Sequence, residues 1–118
     1  IVEHVRDVAS PYQRERWEAL TDHPMVGEAK LVGLMGSIAL TPNKAKRAKF
    51  PDDANVGYRT RERCFANNLI MRAVGDRMII APPLVITPAE IDVLIERAKK
   101  SLDEAYKIVK DEGLWVEA

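Results

Sequence analysis

Residues 69–84 read as two short apolar runs, rich in Ile, Val and Met, on either side of Gly75-Asp76. Gly followed by Asp in a two-residue connection suits a type II′ or I′ hairpin turn. The two runs therefore form an antiparallel hairpin, and the rest of the chain has to cover one of its faces. Alternation puts Leu69, Met71 and Ala73 on one face and Ile70, Arg72 and Val74 on the other. Arg72 is out of place in such a strand. Its charge is permanent, and burying it unpaired is costly. It either reaches solvent at the sheet edge or meets an anion.

The remaining segments supply the cover. Residues 1–22 have helical spacing in two pieces, Val5, Val8 and Ala9, then Tyr12, Trp17 and Leu20. Ser10 is positioned to cap the second piece with Pro11 as its first residue, and Asp22-His23-Pro24 ends it. Residues 26–41 read as one long strand whose three glycines, Gly27, Gly33 and Gly36, point to a bulge or a close backbone neighbour. Residues 42–55 form a loop with Lys44, Lys46, Arg47 and Lys49. That basic cluster has no glycine-rich cradle before a helix, so a solvated loop is favoured over a phosphate site. Residues 56–67 read as a helix with Val56, Thr60, Cys64 and Phe65 inward, closed by Asn67-Asn68. Residues 87–112 carry the clearest helix. Thr87, Pro88 and Glu90 make a capping box, and Ile86 and Ile91 a hydrophobic staple around it. Ile91, Leu94, Ile95, Ala98, Leu102, Ala105 and Val109 form the apolar stripe, and Gly113 stops the helix. The tail Leu114-Trp115-Val116 is set to dock on a neighbour or to fray.

The expected fold is α+β: a small antiparallel sheet of about three strands with helices packed on one face. The 118 residues suffice for a single domain spanning 1–118. Eighteen basic residues balance eighteen acidic ones, which argues against a nucleic-acid surface. No apolar run approaches the roughly 20 residues that span a bilayer, so no membrane contact is expected. Cys64 is alone, which excludes an internal disulfide and is compatible with a reducing, cytoplasmic setting. His4 and His23 lie far apart without a supporting acidic or Cys pattern, so neither is expected to ligate a metal. The chain opens on Ile1-Val2-Glu3-His4, with neither an initiator Met nor a signal peptide, and reads as a fragment or as a domain of a longer protein. A stand-alone α+β interaction or regulatory module fits the same composition.

The motif LIMRAVGD-x-MIIAPPLVIT-x-AEID resembles the C-terminal signature of the class III aminotransferases, enzymes of fold type I that use pyridoxal phosphate. The likeness is strongest to the omega-transaminases of the amine–pyruvate and beta-alanine–pyruvate kind. HPMVGEAKLVGLMGSIAL, beginning at His23, resembles the strand that opens the family's small domain. Phe50, Val56-Gly57 and Arg61-Glu62-x-Cys64 resemble the helix leading into the hairpin. The family usually has Gly where this chain has Asn68, and Asn tolerates the same backbone.

The resemblance implies that this chain is the small C-terminal domain of a larger aminotransferase whose large, pyridoxal-phosphate-binding domain lies elsewhere. It implies a homodimer, an amine or omega-amino acid as donor and pyruvate as acceptor. The first helix, with Trp17, and the 114–116 tail are the expected surfaces of contact with the rest of such an enzyme. Arg72 stands at the position of the family's arginine that receives the substrate carboxylate. The family's catalytic lysine lies upstream, so the chain by itself is expected to be inactive, to hold no cofactor and to contain no catalytic residue. Lys44, Lys99 and Lys107 sit in charged loops or on a polar helix face, where nothing depresses an amine pKa. Another class III activity, a decarboxylase or an aminomutase, would keep the fold and change the substrate.

Overall fold

The first 22 residues run as one helical segment, not two, in the computed structural model, which describes residues 1–117. Helix α1 (Val2–His4) passes through a π-helical stretch (Val5–Ala9) into α2 (Ser10–Glu18) and a closing 3-10 turn (Ala19–Asp22). Ser10 has helical dihedrals (φ −65°, ψ −48°), and its N–H reaches back five residues to the Val5 carbonyl. It therefore does not act as a cap. Pro11 lacks an N–H, and its ring crowds the preceding turn of a regular helix. Widening that turn lets the helix continue through the proline. It ends where expected, at an extended His23 before Pro24.

Residues 26–41 fold back on themselves. Strand β1 (Val26–Val32) pairs antiparallel with β2 (Met35–Leu40), Val32 opposite Met35. The two-residue turn between them is Gly33-Leu34, with Gly33 at φ +61°. Strands β3 (Arg72–Val74) and β4 (Arg77–Ile80) form the second hairpin, and β4 pairs with β2. The sheet order is β1-β2-β4-β3, so β3 is an edge strand. The fold is the expected α+β arrangement, with four strands because the long stretch contains a hairpin. The register shifts at Gly27, which makes the expected bulge. In the β3–β4 turn only Gly75 has positive φ (+59°), the pattern of a type II′ turn.

All the buried strand residues point to one face. Trp17 of α2 is fully buried against Gly36 there, inside the domain and not on a surface of contact. Helix α3 (Val56–Ala66) lies on the same face, with Cys64 Sγ 3.8 Å from Met71 Sδ. Phe65, expected inward, is exposed. Asn68 closes α3 with a left-handed backbone (φ +62°). Helix α4 (Pro88–Asp111) packs across α2 and α3 through the stripe read from its sequence, with Ser101 added to it. Its capping box is complete: Thr87 Oγ1 accepts from the Glu90 N–H and the Glu90 carboxylate accepts from the Thr87 N–H.

The tail docks on its own domain. The Val116 N–H donates to the Pro42 carbonyl at 3.2 Å, Asn43 Nδ2 donates to the Val116 carbonyl at 2.9 Å, and Trp115 meets the Tyr106 ring edge-on. That ties down the basic loop, whose Asn43 also accepts from the Lys46 N–H through Oδ1. No helix of the described residues is long and apolar enough to cross a membrane.

Candidate functional site

The outer face of the sheet, away from the helices, carries Ile70, Arg72 and Val74 from the β3 segment and Arg77 and Ile79 from β4. Arg72 is opposite Ile79. It is exposed and flanked along its strand by Ile70 and Val74, which are 82% and 52% exposed. Exposed β-branched residues on a strand are ordinary singly, but here two bracket a cation. The alternation read from the sequence thus holds, and the cation faces outward.

The two arginines of this face differ in their partners. Arg77 lies 3.5 Å from the Glu28 carboxylate and donates to Ser37 Oγ at 3.3 Å. The Arg72 side chain has neither a hydrogen bond nor an ion pair among the described residues. Every other described arginine except Arg47, in the basic loop, has a side-chain hydrogen bond or an ion pair. A guanidinium offers two parallel N–H groups that match a carboxylate oxygen for oxygen. Among the described residues, none occupies that fork of Arg72.

The hairpin that carries Arg72 is held at its tip. Asp76 Oδ1 accepts from the Gly57 N–H at 3.1 Å, and the Asp76 carbonyl accepts from the Leu40 N–H at 2.9 Å. Gly57 lies so close to the Gly75 carbonyl that a Cβ at position 57 would overlap it. Gly57 and Asp76 both belong to the family-like motifs, yet neither has a local pattern that marks it as the partner of the other. Their pairing emerges only where two segments nineteen residues apart meet in the fold.

A cavity of about 630 Å³ lies between the hairpin and the start of α3. Asp52, Asn55, Tyr58, Arg61, Ala73, Gly75 and Asp76 line it, and Arg72 does not. A carboxylate at Arg72 would sit on an open sheet face that needs a further wall to become a pocket.

The other titratable candidates are structural. Cys64 is buried, which raises its thiol pKa and keeps it un-ionised. His4 contacts the Ile86 carbonyl at 2.7 Å. His23 does have an acidic neighbour, Asp103 of α4, at 3.0 Å. Its Nδ1 accepts from the Met25 N–H, which places the ring proton on Nε2 toward Asp103. Burial lowers the His23 pKa and Asp103 only partly opposes this. Lys44, Lys99 and Lys107 are exposed, and Asp111 raises the Lys107 pKa. No group of three or more His, Cys, Asp or Glu side chains gathers in metal-binding fashion among the described residues.

No protein-family model matches the chain. It is 53% identical over 109 residues to the putrescine–pyruvate aminotransferase of Pseudomonas aeruginosa, an alignment covering 92% of this chain and 24% of that protein. The omega-transferase of Vibrio fluvialis JS17 superposes with a TM-score of 0.85 at 28% identity, over 92% of this chain and 26% of that one. A PLP-bound aminotransferase mutant from Vibrio fluvialis superposes with a TM-score of 0.83 at 27% identity, over 91% and 24%. The chain spans about a quarter of the length of these proteins. In sequence and in fold, the chain is similar to aminotransferases over one segment of their length.

Proposed function

We propose that the chain is the small domain, residues 1–118, of a pyridoxal-phosphate-dependent transaminase that moves an amino group from an amine or omega-amino acid to pyruvate. Arg72 is then the residue that receives the substrate carboxylate. The observation that carries this reading is the Arg72 guanidinium, unpaired among the described residues, on an open sheet face that also carries an already paired Arg77. The likeness to aminotransferases supports the reaction class. The name of the Pseudomonas aeruginosa relative supports an amine donor with pyruvate as acceptor.

The residues present do not fit the cofactor. Every lysine of this chain is exposed, so none offers the sheltered amine a Schiff base requires. In this reading the cofactor is held by a large domain outside these residues, within a homodimer, and no bond chemistry belongs to the chain. Its part is to bind and orient. The Arg72 fork fixes one carboxylate, and exposed Ile70 and Val74 beside it favour apolar cover that would strengthen the ion pair by excluding water.

The test separates acceptors in the full-length protein. Arg72→Ala is expected to lower kcat/KM for pyruvate by about a hundredfold, the scale of a lost charge-assisted contact that leaves a desolvated carboxylate unpaired. Turnover of 1-phenylethylamine in its own half-reaction should change little, since it has no carboxylate to place. Arg72→Lys should recover only part of the loss. Equal loss in both half-reactions, with a lower melting temperature, would make Arg72 structural.

A further inference from the structure

We propose that Asp76 and Gly57 are positioning residues for Arg72, fixing the hairpin tip so that the guanidinium meets a substrate carboxylate in register; this rests on the reading of Arg72 given above. Strand β3 has three residues and a neighbour on one side only. So short an edge strand has little rigidity of its own. Arg72 stands three residues before Gly75, and its backbone follows the tip.

The tip is fastened from two directions. The Leu40 N–H donates to the Asp76 carbonyl and ties the turn to β2. The Gly57 N–H donates to the Asp76 carboxylate and ties it to α3. The second bond is a helix cap supplied from a distance. The residue preceding α3, Asn55, has a left-handed backbone (φ 52°, ψ 42°) and makes no side-chain cap bond. Gly57 is the second residue of α3, where free N–H groups and the helix dipole favour a carboxylate. Asp76 meets both requirements from another element. Contact is this close only because position 57 has no Cβ to push the Gly75 carbonyl away. Helix α3 is itself immobilised by buried Val56, Thr60 and Cys64. The reference frame for Arg72 is therefore α3, transmitted through one carboxylate and one bare Cα.

A misplacement of about 1 Å remote from the reacting atoms can cost a hundredfold in rate. Releasing the clasp should thus act selectively on substrates that use Arg72. In the full-length protein, kcat/KM is measured for pyruvate and for benzaldehyde, an acceptor without a carboxylate. Asp76→Ala and Gly57→Ala are each expected to lower the pyruvate value at least tenfold and to leave the benzaldehyde value within twofold. Asp76→Asn, whose amide oxygen still accepts from the Gly57 N–H, should retain most of the parent selectivity. Arg72→Ala combined with Asp76→Ala should be no worse for pyruvate than Arg72→Ala alone. Where Asp76→Ala does not accumulate as folded protein, Asp76→Glu replaces it, keeping the acceptor but displacing the tip by one methylene. Equal losses for the two acceptors, or independent losses in the double variant, overturn the positioning role while Arg72→Ala remains selective. If Arg72→Ala itself spares pyruvate, the carboxylate reading falls first and the clasp has nothing to position.

Discussion

Trp17 occupies the space a side chain at Gly36 would need. A Cβ at position 36 would lie 2.6 Å from Trp17 Cε2 and 2.9 Å from Nε1. The indole N–H also donates to the Ser37 carbonyl at 3.2 Å, so the ring is fixed by a hydrogen bond as well as by packing. Helix α2 and strand β2 are thereby brought as close as their backbones allow.

Gly36→Ala should therefore overpack the core. Forcing an added methyl into a filled site typically costs about 1–3 kcal/mol, and neither a fully buried indole nor a central strand has room to yield. The expected outcome is a lower denaturant midpoint with an unchanged slope. A change in slope would show that the substitution alters compactness instead.

The three glycines between residues 26 and 41 show how much of the fold is legible in the sequence. The sequence suggests a bulge or a close backbone neighbour for the three together, and only the strand register puts the bulge at Gly27. Gly33 does not announce its turn, although Gly33-Leu34 has the same glycine-first form as Gly75-Asp76. The 72–80 hairpin is recognisable because apolar runs flank a polar turn. The 26–40 hairpin is hidden because Leu34 is apolar and the run continues without a break. Gly36 has no local explanation, since its reason is a ring nineteen residues earlier. The same holds for the candidate site. That Arg72 faces outward follows from alternation, but that it lacks a side-chain partner among the described residues while Arg77 has Glu28 depends on strand order, which local pattern does not encode. Trp17 reads as a contact residue only while its partner strand is unknown; beside β2 it is core.

His23 should make the stability of the chain depend on pH. Its folded pKa lies below the usual value of about 6.5, chiefly through burial. The unfolded chain then binds the proton more readily, so stability rises with pH across this window. The contribution is fully present above about pH 6.5 and is lost as pH falls through the depressed folded pKa. Protonating Nδ1 also breaks the bond from the Met25 N–H. Urea midpoints from pH 5 to 8 should rise for the parent and lie flatter for His23→Gln. Parallel curves would assign the pH dependence to other groups.

Helix α4 should dominate the cohesion of the domain. Leu102 is buried in mid-stripe, and Leu→Ala at such a site costs about 2–5 kcal/mol out of a typical total of about 5–15. Thr87→Ala removes one acceptor of the capping box and should cost about 1 kcal/mol. Both changes are read as shifts in denaturant midpoint. Leu102→Ala unfolding with the parent would mean that α4 is dispensable for the core.

The outer sheet face should drive self-association of the 118-residue chain. Val32 and Met35, opposite each other beside the first turn, are 81% and 61% exposed. Ile70 and Val74 stand at the other edge of the sheet, and Ile79 lies between them and β2. Apolar surface spread across one sheet face is uncommon on a monomer and commonly marks a covered interface. Sedimentation at high protein concentration should show species heavier than the monomer. Val32→Lys with Ile70→Lys should restore the monomer, because each places a charge where the partner surface would have to desolvate it. Trp17→Phe should leave association unchanged, since that ring is inside. Arg72 opposes the association, as its guanidinium would be buried there without a partner. Arg72→Leu should consequently tighten it. Association that persists undiminished in the double lysine variant would place the contact on another surface.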